Sequence, residues 1–387
     1  MQQQSNDHYY YYYHYCPSQA ELNAANCRCY PTTNDSNISR YMICDNVTSA
    51  IFTTTENNNN KMNENNDLPY RFKTLVIRNS PKLPFWNEHS TRIDSGFMVD
   101  KLILLMMMHN DSGLDVDKEQ YIENLNELLR LPMEGVKILT IDHYNNQVTK
   151  KIIELNIIIN LEYLSKSVSF ISINNPNAIV KYDDDIDSDG FSDFLEDRLK
   201  LRHIQFRNVQ FDPPIKNFLL QTLPSLKYIE FTNTNLIGTF SFVPANTITS
   251  TTTKNNKIFI KLIDNKNLTY FNFGLLFSEN YSLNKSNQNN IYHIELRNNP
   301  MMRSDLLTSQ LSVLEKNVGK LNLKLTSSSS LSVSNNNSNN QTTIIQQFDC
   351  NCELFNLFKN KLHIYIHGLK CNNQFGYLNR IKFDQCS

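Results

Sequence analysis

Apolar positions spaced three and then two residues apart recur along the body of the chain. The clearest example begins at Ile291 and continues through Ile294, Leu296, Asn299 and Met302. Nine segments fit the start of this frame, and each predicts a short strand whose alternate side chains point inward. The frames begin at Phe72, Leu102, Val136, Val168, Leu201, Leu226, Lys257, Ile291 and Val318. Their mean step of about 31 residues predicts a repeating, solenoid-like architecture.

The segments between these frames predict how the chain returns from one strand of the sheet to the start of the next. Residues 120–131 carry apolar side chains at helical spacing, at Tyr121, Ile122, Leu125, Leu128 and Leu129. This spacing predicts helical returns on the convex side, and hence an α/β solenoid with a concave parallel β-sheet. Three polar stretches contain too few apolar residues to pack and are predicted to be loops: 57–66, 246–256 and 326–343.

Asparagine is the most over-represented residue type, with 55 copies among 387 residues. It fills the expected position of the repeat frame at Asn110, Asn265 and Asn299. In three further repeats it comes one position early, at Asn79, Asn208 and Asn233. We interpret these three as members of the same column displaced by one residue. Many of the other asparagines lie in the polar loops.

The eight cysteines form two clusters of four near the two ends of the chain. The clusters are Cys16, Cys27, Cys29 and Cys44, and Cys350, Cys352, Cys371 and Cys386. Each cluster contains a Cys-x-Cys step. Structural zinc sites usually separate their paired ligands by two to four residues, so this step favours two disulfide-bonded ends over two zinc sites.

Disulfide-bonded ends predict an extracellular, secreted protein. The first residues show no basic and apolar signal-peptide pattern, and we interpret this as an incomplete start rather than as an intracellular protein. No apolar run approaches the length of a membrane span, because the longest covers only 102–108. Nine Asn-x-Ser/Thr sequons agree with secretion, although such sequons also arise by chance in a chain rich in asparagine. They begin at Asn34, Asn37, Asn46, Asn110, Asn267, Asn280, Asn284, Asn336 and Asn340.

Both ends resemble the cysteine-rich caps of extracellular leucine-rich-repeat proteins. The Cys-Pro opening at 16–17 with its three following cysteines is similar to the N-terminal cap, and 348–354 with Cys371 and Cys386 is similar to the C-terminal cap. The wide first gap is most similar to arthropod secreted members, a group that includes the non-catalytic subunit of a secreted luciferase. The resemblance implies a solenoid sealed at both ends and four disulfides: Cys16–Cys29, Cys27–Cys44, Cys350–Cys371 and Cys352–Cys386.

These features divide the chain into five parts. A tyrosine-rich N-terminus, predicted to be disordered, is followed by the N-terminal cap with an Asn-rich loop and then by about nine repeats. A low-complexity loop and the C-terminal cap complete the chain. The corresponding ranges are 1–15, 16–68, 69–330, 331–347 and 348–387.

Charge and motifs argue against several functional classes. The formal net charge is −1, so no basic footprint for nucleic acid is present. Only nine glycines occur, and none forms a Gly-rich phosphate loop. Since HExxH and GxSxG motifs are also absent from the sequence, we expect no enzyme activity and no resident cofactor.

The residues that flank the inward positions are predicted to point out of the concave sheet. The first flanking column contains Thr74, Leu104, Ile138, Phe170, His203, Tyr228, Phe259, His293 and Lys320. Aromatic side chains and arginine dominate protein-binding hot spots, so we hypothesise that this face binds a protein ligand. An ordinary solvated sheet face is the alternative. The candidate binding residues are His203, Gln205, Arg207, Tyr228, Glu230, Phe259, Lys261, His293, Glu295 and Arg297.

One acidic segment matches the D-x-D-x-D-G-x₅-E pattern of calcium loops. Its candidate ligands are Asp185, Asp187, Asp189, Asp193 and Glu196. Ser192 occupies a position that is normally apolar, and the preceding residues do not predict an entering helix. An acidic loop between two repeats is therefore the simpler interpretation, with calcium as the alternative.

Together these patterns predict a secreted leucine-rich-repeat protein that binds another protein in an adhesion or matrix role. Two alternatives stay open. One is an intracellular adaptor that presents substrates to a ubiquitin ligase, and the other is a non-catalytic subunit of an extracellular enzyme. The sequence indicates neither the identity of the ligand nor an oligomeric state.

Overall fold

The structure is a computed structural model, and it describes a subset of the chain. The described residues are 16, 19–30, 41–47, 70–78, 97–106, 136–143, 155–159, 161, 164, 167–182, 200–219, 225–243, 257–272, 291–302 and 321–326. They fall in two compact units, an N-terminal unit over Met1–Ile153 and a C-terminal unit over Glu154–Ser387.

The described residues of the N-terminal unit form one short helix, α1 (Gln19–Ala24), and five strands in a single sheet. The strands are β1 (Cys27–Tyr30), β2 (Tyr41–Asp45), β3 (Tyr70–Arg78), β4 (Phe97–Met106) and β5 (Ile138–His143). They lie in sequence order, with β1 antiparallel to β2 and the other pairs parallel. Apolar residues on alternate positions of each parallel strand are buried.

Two disulfides hold the start of this unit together. Cys16 pairs with Cys29, and Cys27 pairs with Cys44 across the β1–β2 hairpin. Both pairs are those implied by the resemblance, and the N-terminal disulfide prediction is therefore confirmed. The four C-terminal cysteines lie outside the described residues.

The repeat frame that begins at Leu102 is wrong by three residues. β3 and β4 pair Leu75 with Leu102 and Ile77 with Leu104, so the inward positions are Leu102 and Leu104. Leu104 is buried rather than on the outward flank, where Lys101 stands opposite Thr74. The uninterrupted apolar run of 102–108 fits both frames, and only the pairing with a neighbouring strand distinguishes them.

The C-terminal unit contains a six-stranded parallel main sheet. Its strands are β7 (Phe170–Asn174), β9 (His203–Arg207), β12 (Tyr228–Thr232), β14 (Lys257–Ile263), β16 (Ile291–Arg297) and β17 (Leu321–Thr326), in that spatial order. The first five match predicted frames. The pairing of Ile294 with Leu323 and Leu296 with Leu325 shifts the last frame by two residues. Asn322, and not Lys320, therefore stands opposite His293.

The described part of the C-terminal unit also contains two three-stranded parallel back sheets. One contains β6 (Leu155–Ile159), β8 (Ala178–Tyr182) and β10 (Gln210–Phe211), and the other contains β11 (Asn217–Leu219), β13 (Gly238–Val243) and β15 (Leu268–Asn272). The described returns in this unit are mainly strands and not the predicted helices, and only Leu161 and Leu164 among the described residues there are helical. The helix predicted at 120–131 lies outside the described residues. The described fold is thus a solenoid-like stack of parallel strands with little helix.

Phenylalanine fills the space between the main sheet and the back sheets. Phe206 and Phe231 project from the inner face of the main sheet, and their rings lie 5.6 Å apart. The Phe231 ring also lies between 5.3 and 6.4 Å from the rings of Phe211, Phe218, Phe240 and Phe242 on back-sheet strands. This cluster buries one face of the main sheet and leaves the other, which we call the open face, exposed.

Four main strands of the C-terminal unit, β9, β12, β14 and β16, end in a turn that asparagine or aspartate occupies. Asn208, Asn233, Asp264 and Asn298 all have left-handed backbone, with φ between 49° and 56°. Asn and Asp tolerate this conformation better than other residues with a side chain. Asn208 and Asn233 are therefore not displaced members of the first asparagine column but belong to a column of their own. Asn79 and Asn110 lie outside the described residues.

The first asparagine column links consecutive repeats through buried amides. The Asn265 Nδ2 atom donates to the Phe231 carbonyl at 3.1 Å, and its Oδ1 atom accepts from the Thr234 N–H at 3.1 Å. Asn299 repeats the arrangement one strand later, donating to the Leu262 carbonyl at 2.9 Å and accepting from the Asn265 N–H at 2.9 Å. Each side chain thus satisfies backbone groups of the preceding repeat.

Candidate functional site

All ten candidate binding residues lie on the open face of the main sheet in the C-terminal unit. They form three columns because the parallel register places equivalent positions side by side. The strand pairs align His203, Tyr228, Phe259 and His293 in the first column, and Gln205, Glu230, Lys261 and Glu295 in the second. Arg207 and Arg297 lie at two ends of the third.

The first column, extended by Phe170 on β7, is a run of neighbouring rings that we call the ring column. The centroid distances are 5.9 Å for Phe170–His203, 5.7 Å for His203–Tyr228 and 4.5 Å for Phe259–His293. The last two pairs are stacked. Phe259 is 39% exposed, and His203 is also exposed. The ring column therefore presents apolar surface to solvent.

The Glu230 carboxylate is the centre of a hydrogen-bond cluster beside the ring column. The Arg207 guanidinium donates to it from Nε at 2.7 Å and from Nη2 at 3.0 Å. The Tyr228 hydroxyl donates at 2.6 Å and the Thr232 hydroxyl at 2.8 Å. Glu230 is only 4% exposed, so four donors satisfy a buried charge.

This cluster sets the protonation of its members. Burial alone raises the pKa of Glu230, but the hydrogen bonds from Arg207, Tyr228 and Thr232 outweigh burial and lower that pKa to about 2. Burial and the neighbouring Glu230 carboxylate raise the pKa of Tyr228 above its usual value. At neutral pH the carboxylate is charged and the phenol is not.

Lys261 joins the cluster to the next repeat. Its Nζ atom lies 5.3 Å from the centroid of the Tyr228 ring, within cation–π range, and 3.8 Å from an Oε2 atom of Glu295. Side chains from β9, β12, β14 and β16 therefore hold one another in place across the open face.

Partial burial lowers the pKa of both histidines in the ring column. The positive charges of Arg202 and Lys227 lower the pKa of His203 further, and the charge of Lys257 does the same for His293. Both histidines are consequently neutral at pH 7. They act there as flat, polar rings and not as cations.

Several other predicted sites lie wholly or partly outside the described residues. The calcium-loop residues 185–196 lie outside the described residues, and within those residues no group of His, Cys, Asp and Glu is placed to hold a metal ion. Of the nine sequon asparagines, Asn46 and Asn267 are described, and both are exposed. Among the described segments no helix is long and apolar enough to cross a membrane.

Thr232 is the member of the site that the sequence analysis missed. It lies in the third column between Arg207 and Ile263, and its hydroxyl supplies the fourth hydrogen bond to Glu230. The signal was available, because Tyr228, Glu230 and Thr232 alternate along one strand and therefore face the same side.

Comparisons with known proteins do not identify the chain. No protein-family model matches it, and no curated protein or solved structure gives a significant match. The open face and the disulfide-bonded N-terminal unit are therefore the features that indicate a function.

Proposed function

We propose that this chain is a secreted binding protein, without enzyme activity, that holds a protein ligand on the open face of its C-terminal unit. One observation carries the proposal: exposed ring edges lie directly beside a buried cluster of charged hydrogen bonds. Aromatic residues and arginine are the side chains most enriched at energetic hot spots of protein interfaces.

The open face is organised before any ligand arrives. Arg207 and Tyr228 are held by Glu230, and Lys261 lies over the Tyr228 ring. Side chains that are already fixed lose little rotamer entropy when a partner binds, which favours affinity. A merely solvated sheet face has no need of four donors around one buried carboxylate.

Secretion and membership of the extracellular leucine-rich-repeat proteins are parts of the same proposal. The paired N-terminal cysteines support an oxidising compartment. The spacing of the inward positions and the asparagine amides that link repeats support the family. Counting free thiols in the protein from its native source separates secretion from the intracellular adaptor. Secretion predicts no reactive thiol, and the adaptor predicts eight.

Affinity capture from extracellular fluid tests the binding function. The full chain is immobilised beside a variant that carries Tyr228→Ala, Phe259→Ala and Arg297→Ala. A partner that binds the wild type and is lost from the variant is the expected result. The loss should be at least about thirtyfold, since even one hot-spot truncation costs roughly 2 kcal/mol or more.

A matched variant controls for non-specific loss of the fold. Tyr270→Ala, Met301→Ala and Lys266→Ala remove one ring, one exposed apolar side chain and one cation at positions away from the open face. This variant should capture the partner as the wild type does. Equal capture by the wild type and the open-face variant would refute the proposal.

A further inference from the structure

Three exposed cations border the ring column at the start of the main-sheet strands. Arg202 and Lys227 come directly before β9 and β12, and Lys257 is the first residue of β14. The Lys227 N–H donates to the Arg202 carbonyl at 2.8 Å, which places these two residues on neighbouring strands. We call Arg202, Lys227 and Lys257 the basic row.

The basic row has no acidic partner in the described part of the chain. The acidic residues described in the C-terminal unit number four, and each is engaged elsewhere. Asp212 pairs with Lys181, Glu230 with Arg207, and Glu295 with Lys261, while Asp264 accepts from the Asn298 amide. No ion pair formed between described residues includes a member of the basic row.

The spacing of the basic row is set by the sheet. Neighbouring strands lie about 4.8 Å apart, so the backbones of Arg202 and Lys227 are direct neighbours. Lys257 lies one residue further towards the start of β14, because Phe259 stands opposite Tyr228. Their charges reach the ring column, because they contribute to the lowered pKa values of His203 and His293. The exposed Phe259 ring thus borders positive charges that have no carboxylate partner among the described residues.

We propose that the ligand held on the open face presents an acidic peptide segment, whose carboxylates pair with the basic row while its apolar side chains cover the ring edges of Tyr228 and Phe259. This inference rests on the proposed binding function and specifies the chemistry of the partner. Charge complementarity of this kind steers association and selects among partners.

A peptide fits this surface better than an anionic polysaccharide does. Sulfate groups of a glycan would pair with the three cations but would leave the exposed Phe259 edge without an apolar partner. A peptide supplies both carboxylates and apolar side chains within a few residues. The whole chain carries a net charge of −1, so this selection operates through the local row and not through bulk charge.

Selection from a random peptide library displayed on phage tests the inference on the immobilised full chain. The expected pool is enriched in Asp and Glu beside aromatic or aliphatic residues. Synthetic peptides from the pool should bind about tenfold or more weakly to a variant with Arg202→Gln, Lys227→Gln and Lys257→Gln. Their affinity should also fall as salt is raised, because the cations are exposed.

A matched variant with Lys216→Gln and Lys266→Gln removes exposed charge outside the row and should bind the peptides as the wild type does. A heparin fragment provides the glycan comparison. Three results would overturn the inference: no acidic enrichment in the pool, binding that survives loss of the row, or heparin binding the row more tightly than every selected peptide. The proposed binding function is tested separately. It fails if the variant with Tyr228→Ala, Phe259→Ala and Arg297→Ala still captures the natural partner.

Discussion

At the residue scale, Glu230 explains how the neighbouring side chains on the open face are held in place. A buried carboxylate without partners is costly, but here two guanidinium N–H groups and two hydroxyls satisfy it. The cluster fixes Arg207 and Tyr228 in one arrangement. Glu230 therefore stabilises the fold and at the same time shapes the surface that a ligand meets.

Replacing Glu230 with glutamine should lower the free energy of unfolding by about 2–3 kcal/mol at pH 7, because the Arg207 charge loses its partner. The folded pKa of about 2 lies below the ordinary 4.5, so the carboxylate stabilises the fold above pH 4.5 and the effect is lost as pH falls towards 2. Urea unfolding of wild type and variant across this range measures both effects.

Glu295→Gln is the matched control for this substitution. Its carboxylate is more exposed and lies 3.8 Å from Lys261, and the change should cost no more than about 1 kcal/mol. A Glu230→Gln variant as stable as this control at pH 7, or a difference that persists unchanged to pH 2, would contradict the assigned role of the cluster.

The asparagines show how far the roles of single residues can be predicted from the sequence. Asn265 and Asn299 were placed correctly in the repeat frame, because a buried amide at a fixed distance from the strand is part of the pattern. The prediction that Asn208 and Asn233 belong to the same column was wrong, because the sequence does not reveal their backbone conformation. Their positive φ angles identify a separate turn position, which Asp264 and Asn298 share.

At the element scale, the main strands were predictable and the back strands were not. Frames with a clear apolar–polar alternation, such as His203–Arg207, are found at the predicted positions. Back strands such as Gln210–Phe211 are too short to stand out, and their parallel partners come from other repeats. The sequence of the Gly238–Val243 strand does alternate, with Thr239 and Ser241 beside Phe240 and Phe242, and the strand could have been recognised.

Two phenylalanines on the main sheet should lose different amounts of stability on the same truncation to alanine. Phe231→Ala removes a fully buried ring that contacts rings of both back sheets, and it should cost about 3–5 kcal/mol of unfolding free energy. Phe259→Ala removes a partly exposed ring and should cost about 1 kcal/mol or less. Denaturant unfolding of the two variants compares them directly, and similar losses would argue against back strands packed beneath β12.

At the scale of the whole molecule, net charge is a poor guide to binding. The described residues of the C-terminal unit contain eleven Lys and Arg residues and four Asp and Glu residues, although the complete chain is almost neutral. Sequence totals hide this local excess, because only the fold shows which charges share a surface. The ten candidate residues, in contrast, could be grouped from strand alternation alone.

The N-terminal disulfide pattern gives a direct test of the fold on the intact protein. Trypsin cuts after Arg28 and Arg40, and a glutamate-specific protease cuts after Glu21, so the four N-terminal cysteines are separated onto four peptides. Without reduction, mass spectrometry should find 1–21 linked to 29–40, and 22–28 linked to the peptide that begins at Tyr41. A link between the peptides of Cys16 and Cys27 would contradict the described pairing.

The β1–β2 hairpin also has a consequence for self-association. An open strand edge is a template on which another chain can add a strand, and repeated addition leads to fibres. In the N-terminal unit that edge belongs to β1, which is four residues long, runs against the parallel strands and includes the exposed Arg28. Because the Cys27–Cys44 disulfide ties β1 to β2, β1 cannot peel away to uncover β2. The hairpin thereby protects this end of the sheet from polymerisation.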